Sequence, residues 1–353
     1  LKDKALVASL RAGLLAWYDA QGRKLPWRTG EHDPYRVWLS EVMLQQTTVP
    51  HAAPYYEKFL TLWPTVRDLA AAEDGRVMAE WAGLGYYARA RKLLECARTV
   101  VREHDGVFPA DEAELLKLPG FGPYTSAAVA AIAFGHAANV VDGNIERIMA
   151  RLYAIETPMP AAKPLVREAA VQWVSDDRAG DWPQALMDMA TLICRPKSPV
   201  CGGCPLAEAC VARARGEQER FPVKLAKAPK PRRYGVVFVI QSDDGVLVER
   251  RADKGLLGGM LGLPHTDWRS EPYRTEEITP PLSAPFEVIG SYEHVFTHFA
   301  LTQEVWRAQV SDESVCDFLR RNSLQILPIS EKALPTVFAK ALKVKPSTPG
   351  LFD

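Results

Sequence analysis

Four cysteines stand in one short run, and they constrain this chain more than any other feature. They are Cys194, Cys201, Cys204 and Cys210, with the spacing C-x6-C-x2-C-x5-C. Zinc sites usually pair two close couples of ligands across a longer gap. Here one cysteine stands alone and three follow at tight, unequal intervals, a pattern that four thiolates of a [4Fe–4S] cluster would fit. A structural zinc knot and four unrelated buried cysteines are the alternatives.

Composition is typical of a protein with two or three globular domains. The chain has 353 residues, of which 47% are hydrophobic, enough to bury sizeable cores. No run approaches the roughly eighteen apolar residues of a membrane span, and no secretory signal is recognisable. Clustered cysteines without such a signal predict the reducing cytoplasm.

The formal net charge is zero, which argues against a wholly basic surface but not against a nucleic-acid partner. Between Arg213 and Arg233, eight basic residues stand against Glu217 and Glu219. Residues 221–233 of this stretch are rich in proline and lysine and are predicted to be an interdomain linker. A basic linker can also lie along a phosphate backbone.

Hydrophobic periodicity divides the chain into a helical part and a mixed part. Apolar residues recur at helical spacing from residue 1 to about 212, and alternating strand patterns are missing there. From Tyr234 the pattern changes, which predicts a small α+β domain. Strands are predicted at 235–241, 245–251, 286–296 and 299–310, and helices at Asp312–Arg321 and Glu331–Lys343.

The segment LPGFGPYT (Leu118–Thr125) separates two helical stretches. Glycine permits the positive φ angles that turn successive backbone N–H groups outward, and the N-terminus of the following helix adds its positive dipole end. Gly120, Phe121 and Gly122 are therefore predicted to bind a DNA phosphate without reading sequence. An ordinary turn between helices is the alternative.

Two carboxylates are candidates for acid–base chemistry. Glu41 stands among apolar residues of a helical segment, where burial should raise its pKa and suit it to donate a proton near neutral pH. Asp142 precedes Gly143 and Asn144, where a helix N-cap is the ordinary interpretation. Cleavage of an N-glycosidic bond calls for two such groups, one to protonate the leaving base and one to stabilise the positive sugar. An exposed glutamate on an amphipathic helix is the alternative for Glu41.

Five features together resemble one family of DNA repair enzymes. The segments WLSEVMLQQT, GLGYYARAR, LPGFGPYT and VDGNIERI and the cysteine spacing are similar to those of adenine DNA glycosylases of the MutY type. These belong to the helix–hairpin–helix, iron–sulfur DNA glycosylase superfamily. The resemblance covers almost the whole chain. It implies a bacterial cytoplasmic, nucleoid-associated monomer that removes adenine mispaired with 8-oxoguanine, or less efficiently with guanine, in double-stranded DNA.

The resemblance also implies a multidomain fold. Residues 1–27 and 140–220 would form an all-α iron–sulfur cluster domain, and 28–139 a six-helix barrel with the hairpin motif. Residues 234–345 would form an α+β Nudix-like (MutT-like) domain after the linker. The R-E-x-x-E-E pattern that holds metal in Nudix hydrolases does not follow Arg250–Pro264, which favours a binding domain that senses 8-oxoguanine.

Individual roles follow from the same resemblance. Glu41 would protonate adenine at N7 and then help to activate water. Asp142 would stabilise the oxocarbenium-like sugar, by charge or through a covalent intermediate, and Tyr124 and Asn144 would support both carboxylates. The other implied positions are the adenine pocket at Trp27, Arg28, Leu44 and Gln184, the duplex wedge at Gln46 and Tyr86, the 8-oxoguanine-sensing tip at Phe296, Thr297 and His298, and the [4Fe–4S] ligands Cys194, Cys201, Cys204 and Cys210.

Two positions refine these expectations. Bifunctional relatives of the endonuclease III type carry a Schiff-base lysine where Tyr124 stands here, so tyrosine implies a monofunctional glycosylase. Many relatives carry serine where Thr297 stands, which keeps the hydroxyl and adds a methyl group. The competing predictions are a Nudix-type nucleotide hydrolase fused to a helical DNA-binding module, and a cluster-containing DNA-binding protein without catalysis.

Overall fold

The structure is a computed structural model. It describes residues 3–30, 32–225, 229–243, 245–252, 255–311, 324–327 and 334–345. The chain divides into two compact units, Leu1–Ala226 and Lys227–Asp353. Among the described residues, every helix is too short or too polar to cross a membrane.

The first unit is built of helices, as its periodicity predicts. Its described helices are α1 (Lys4–Gln21), α2 (Pro34–Leu44), α3 (Val49–Leu62), α4 (Val66–Ala71), α5 (Asp74–Glu80), α6 (Tyr87–Glu103), α7 (Glu112–Leu115), α8 (Pro123–Phe134), α9 (Gly143–Leu152), α10 (Lys163–Val171), α11 (Asp181–Leu192) and α12 (Val211–Ala214). Short 3-10 turns at Cys201–Gly203 and Gln218–Arg220 flank α12.

Two apolar clusters form the core of this unit, and α8 contributes to both. One cluster gathers side chains from α2 to α8, including Trp38 and Phe59. The other joins α1, α9, α10 and α11, including Leu14 and Ile148. Because α8 is small and apolar on all sides, it can be buried between the two. Its first turn places Tyr124 against the second of these clusters. The division into residues 28–139 and the remainder stays a prediction.

The second unit contains a mixed sheet packed against a helix. Its described strands are β1 (Arg232–Ser242), β2 (Gly245–Arg250), β3 (Leu261–Gly262), β4 (Glu287–Val295), β5 (Ala300–Gln309) and β6 (Leu324–Leu327). The order is β3-β2-β1-β5-β4, with β6 paired to β2. β1 and β5 run parallel, and the other pairs are antiparallel. Helix α13 (Thr336–Lys343) packs on this sheet through the buried Val337 and Phe338.

The predicted strands of the second unit are confirmed, and β1 and β2 pair antiparallel across the predicted turn. The last helix begins at Thr336 rather than Glu331, with Pro335 at its N-cap position. Residues 331–333 and the helix predicted at Asp312–Arg321 lie outside the described residues.

The predicted linker 221–233 extends into both units. Phe221 is buried against Ala150 and Ala212, and the Met159 N–H donates to the Val223 carbonyl at 2.8 Å. At the other end, β1 already begins at Arg232. Composition alone could not show that a single aromatic side chain anchors the start of this proline-rich segment.

Candidate active site

Glu41 is buried near the end of α2. Only 7% of its surface is exposed, and the Tyr124 hydroxyl donates to its Oε2 atom at 2.6 Å. Burial raises the pKa of Glu41 to about 7. Asp142 raises it as well, whereas the hydrogen bond from Tyr124 and the charge of Arg28 lower it. The Glu41 carboxyl group is therefore partly protonated at neutral pH, as the apolar residues around it in the sequence predict.

Tyr124 lies in the first turn of α8 and is fixed in its protonated form. Burial raises the pKa of Tyr124 well above its ordinary value, and the charges of Glu41 and Asp142 raise it further. A protonated phenol can only donate to an ionised carboxylate. Tyr124 therefore holds the Glu41 carboxyl group in one orientation.

Asp142 caps α9 and faces the same region. Its Oδ1 atom accepts the N–H groups of Asn144 at 2.9 Å and Ile145 at 2.7 Å. The Asn144 side-chain amide donates to Oδ2 at 2.8 Å. Asp142 also lies close enough to Glu41 to raise its pKa. The N-cap interpretation is thus correct, and the same carboxylate is also a neighbour of Glu41.

A narrow pocket opens beside Glu41, between α2, α8, α11 and the segment that precedes α2. The pocket is lined by Glu41 and by all four residues predicted to contact adenine, which are Trp27, Arg28, Leu44 and Gln184. The Gln184 side-chain amide donates to the Gly180 carbonyl at 3.0 Å. Its amide oxygen is left to accept a hydrogen bond from a ligand.

Sequence reasoning missed Asp188, which orients Arg28. Its side chain is fully buried, and it accepts hydrogen bonds from Arg28 at 2.7 and 3.1 Å and from Arg23 at 2.7 Å. Burial by itself raises the pKa of Asp188, but the two arginines outweigh it and lower the pKa overall. Asp188 follows Gln184 by four residues, so the two share one face of α11. That spacing is the signal that could have found it.

One donor of the Arg28 guanidinium group is unpaired in the described residues. Its Nε atom is buried and has no hydrogen-bond partner among the described residues. Buried donors rarely stay unpaired without a functional reason. Arg28 and Gln184 both line the pocket.

The hairpin before α8 contains Gly120, Phe121 and Gly122, which are predicted to bind a phosphate. Gly120 has a φ of +79°, and Gly122 is the N-cap of α8, as a phosphate-binding turn requires. The Phe121 N–H instead donates to the Leu118 carbonyl at 3.1 Å, and the Phe121 ring stacks on Trp38. Phe121 is therefore a packing residue of the hairpin, and its amide is committed within the turn.

The two predicted wedge residues share an unusual backbone conformation. Gln46 has a φ of 61° and Tyr86 a φ of 49°, which is the left-handed region that non-glycine residues seldom adopt. Gln46 is exposed just after α2, and Tyr86 is 58% exposed just before α6. Both side chains lie on the surface, at the ends of the two helices.

The four cysteines are neighbours at the end of the first unit. Burial raises the pKa of Cys204 to about 12; a Leu206 amide opposes this effect, and the charges of Cys194, Cys210 and Cys201 add to it. In the described part of the chain, no three His, Cys, Asp or Glu side chains are set to hold one metal ion. Cys194, Cys201 and Cys210 therefore lie close enough to Cys204 to affect its pKa.

Two arginines of α9 connect to the first cysteine. Arg151 donates to Cys194 Sγ at 3.3 Å. Arg147 donates to the Cys194 carbonyl at 2.9 Å and to the Asn144 side-chain oxygen at 3.3 Å. Since Asn144 binds Asp142, α9 links the cysteine run to that carboxylate. Sequence reasoning missed both arginines, although the four-residue spacing puts them on one helix face.

The predicted tip of the second unit lies between β4 and β5. Phe296 is half-buried, with ring centroids 5.3 Å from Trp268 and 4.6 Å from His294. Thr297 and His298 are exposed. The tip therefore exposes Thr297 and His298, whereas Phe296 packs against Trp268 and His294.

Known families match both units. Residues 39–175 match the HhH-GPD superfamily base excision DNA repair protein family, and residues 235–344 match the NUDIX domain family. The solved structure of a thermostable thymine-DNA glycosylase is similar at a TM-score of 0.55 and 30% identity, covering 59% of this chain and 97% of that chain. A non-covalent endonuclease III–DNA complex shares the fold at a TM-score of 0.52 and 21% identity, covering 61% of this chain and 99% of that chain.

Curated relatives extend over both units. The adenine DNA glycosylase of Homo sapiens is 34% identical over 370 residues, which cover 86% of this chain and 68% of that protein. The adenine DNA glycosylase of Buchnera aphidicola subsp. Schizaphis graminum is 30% identical over 297 residues, which cover 82% of this chain and 84% of that protein.

Together, the fold and these matches define a helix–hairpin–helix base excision repair glycosylase joined to a Nudix-like domain. Within that class, the chain belongs to the adenine DNA glycosylase family. The predicted enzyme class is thereby confirmed over its two competitors.

Proposed function

We propose that this enzyme removes adenine paired with 8-oxoguanine, and less efficiently with guanine, and leaves the DNA strand intact. The supporting observation is the buried Glu41 carboxyl, whose pKa is about 7, at the wall of a pocket beside a second carboxylate. Such a group holds a proton at neutral pH and gives it up to a leaving base. Asp142, held by Asn144, carries the negative charge that a positively charged sugar needs.

The reaction would proceed in two proton transfers. Glu41 protonates N7 of an adenine that has left the stack, which weakens the bond to the sugar. The Tyr124 hydroxyl keeps the carboxyl group oriented throughout. Asp142 stabilises the sugar cation as the bond breaks. The Glu41 carboxylate then accepts a proton from the attacking water and returns to its starting form.

The pocket would select adenine by its polar edge. The Gln184 amide oxygen accepts from the exocyclic amine, and Arg28 Nε donates to a ring nitrogen. Trp27 and Leu44 contact the ring faces. A base that lacked these groups would leave buried polar atoms unpaired, which is an effective way to reject it.

DNA contacts would come from several surfaces. The Gly120 and Gly122 amides and the N-terminus of α8 bind a phosphate. Gln46 and Tyr86 fill the space that the extruded base leaves. Thr297 and His298 read 8-oxoguanine, which differs from guanine at N7 and C8. Tyr124 offers no amine, so no Schiff base forms and the strand is not cut.

One experiment tests both the substrate and the reaction type. Single-turnover adenine release is measured on duplexes with one A:8-oxoguanine, A:G or A:T pair, and strand breaks are scored before alkali treatment. We expect release to be fastest for A:8-oxoguanine, slower for A:G and negligible for A:T, with no breaks. Thr297→Ala with His298→Ala should reduce the preference for A:8-oxoguanine over A:G by about tenfold, the loss of one or two hydrogen bonds.

The matched control is Ser291→Ala. Ser291 is exposed on β4, the strand that leads to the tip, and its replacement should leave the full preference for A:8-oxoguanine. Equal rates on A:8-oxoguanine and A:G in the unaltered enzyme would contradict lesion sensing. Strand breaks without alkali would contradict the monofunctional mechanism.

We also propose that Cys194, Cys201, Cys204 and Cys210 hold a [4Fe–4S] cluster. A single zinc ion binds every sulfur at about 2.3 Å and so draws them to one point. In a cluster each cysteine binds a different iron, so the sulfurs stay farther apart. The spacing of one separate cysteine followed by three at tight, unequal intervals supports the cluster over a zinc knot. The bound cluster would organise the chain from α11 to α12.

The cluster proposal predicts a brown protein. Purified enzyme should absorb broadly near roughly 400 nm and carry about four irons per chain. Cys204→Ser should lose most of the iron. Cys96→Ala should retain the iron, because Cys96 is buried in the apolar core that contains Trp38 and Phe59 and does not belong to the run of four cysteines. A colourless protein with one zinc per chain would show that the site is a zinc knot.

A further inference from the structure

Arg89, near the start of α6, connects the ends of two separate segments. Its guanidinium group donates to main-chain carbonyls on both sides. The acceptors at the end of α2 are Val42 at 2.9 Å, Met43 at 3.4 Å and Gln45, and those in the glycine-rich turn are Leu84 at 3.2 Å and Gly85 at 3.4 Å.

These contacts need an arginine. The last carbonyls of a helix have no partner within the helix, and a planar guanidinium offers several donors in a fixed fork. The Arg89 guanidinium carbon also lies 5.5 Å from the ring centroids of Trp81 and Tyr86. Trp81 in turn donates from Nε1 to the Gly85 carbonyl at 3.0 Å. The turn is thus held from two directions.

Each of the two left-handed residues follows a carbonyl that Arg89 binds. Gln46 follows Gln45, and Tyr86 follows Gly85. Because the left-handed conformation is unfavourable for both side chains, the surrounding contacts must maintain it. The Arg89 side chain reaches both places.

We infer that Arg89 is a positioning residue that holds Gln46 and Tyr86 as one unit for insertion into the duplex. This inference rests on the proposed function, which assigns these two side chains to the space around the extruded base. Arg89 itself acts through the backbone. Its contribution is to make the insertion of both side chains a single event, which lowers the barrier to extruding adenine.

The test compares duplexes that resist base extrusion to different degrees. Two A:G duplexes are used, one with stiff G·C-rich flanks and one with flexible TA and CA steps. Arg89→Met should slow single-turnover release on the stiff duplex by about tenfold or more, and on the flexible duplex by less than about threefold. Arg89→Lys should lie between the unaltered enzyme and Arg89→Met.

Arg98 provides a matched control on the same helix. It donates to the carbonyls of Ala70 at 3.2 Å and Ala72 at 3.0 Å at the end of α4, rather than to the carbonyls that precede the wedge residues. Arg98→Met removes the same kind of carbonyl contacts together with an exposed ion pair to Asp74 at 2.7 Å, so it should also lower thermal stability. It should leave both release rates within about twofold of the unaltered enzyme.

Several results would overturn the inference. Equal slowing on both duplexes by Arg89→Met would indicate a general structural role, and unchanged rates would indicate none. In a Tyr86→Ala background, Arg89→Met should add less than about twofold; a full additional loss would mean that Arg89 acts elsewhere. Failure of the wedge assignment itself would be visible separately, as normal rates of Tyr86→Ala on both duplexes.

Discussion

Replacing Glu41 by glutamine should remove most base release and leave DNA binding intact. Glutamine has nearly the same shape, and its side-chain oxygen can still accept from Tyr124, so the pocket should keep its geometry. It cannot transfer a proton to the leaving base. General acid–base catalysis typically contributes about 10²–10⁴-fold, and we expect a loss of that order in single-turnover release from an A:8-oxoguanine duplex.

The pH dependence of the adenine-release rate tests the same prediction in a second way. Because the pKa of Glu41 is about 7, the unaltered enzyme should lose activity as pH rises above that value. The residual rate of Glu41→Gln should not show this loss. Glu57→Gln changes an exposed glutamate of α3 and should follow the unaltered profile. Near-normal turnover of Glu41→Gln would exclude Glu41 as the acid.

Stability should change with pH for the same reason. The folded-state pKa of Glu41 lies above its ordinary 4.5, so between those two values the folded state binds more protons than the unfolded state. Its contribution to stability is therefore largest below pH 4.5 and falls until about pH 7. The shift corresponds to about 3 kcal/mol. Chemical unfolding should measure this effect at pH 4 and pH 8. The free energy of unfolding of Glu41→Gln, relative to that of the unaltered enzyme, should be higher at pH 8 than at pH 4.

The general organisation of the chain could be predicted because it depends on local patterns. Helical periodicity up to about residue 212 and strand alternation after Tyr234 both report which side of an element is buried. The pocket residues Trp27, Arg28, Leu44 and Gln184 were implied by the family resemblance and not by local pattern, because they belong to separate segments. The structure brings them together around one pocket.

Other features depend on contacts between distant parts of the chain. Asp188 reaches Arg28 across 160 residues. Its four-residue spacing from Gln184 places it on the same face of α11, but that spacing does not identify Arg28 as its partner. Arg89 binds main-chain carbonyls, which every residue has, so no sequence pattern marks its acceptors. The glycines around Phe121 predict a phosphate-binding turn, but local sequence does not show that the Phe121 amide also binds the Leu118 carbonyl within the turn.

Asp142 poses a sharper question, since its cap role alone could explain its presence. Its carboxylate accepts two main-chain N–H groups at the start of α9. Asparagine is about as good an N-cap as aspartate. Asp142→Asn should therefore keep the cap, and the free energy of unfolding should change by less than about 1 kcal/mol.

Adenine release by Asp142→Asn should nevertheless fall by about 10²–10³-fold, the usual effect of removing a group that stabilises charge in the transition state. Asp111→Asn provides the control, because Asp111 caps α7 with the same two-amide pattern and has no assigned catalytic role. It should keep near-normal rates. Since Asp142 raises the pKa of Glu41, the remaining activity of Asp142→Asn should also decline at a lower pH than in the unaltered enzyme. Normal turnover of Asp142→Asn with an unshifted pH profile would mean that Asp142 serves only as a helix cap.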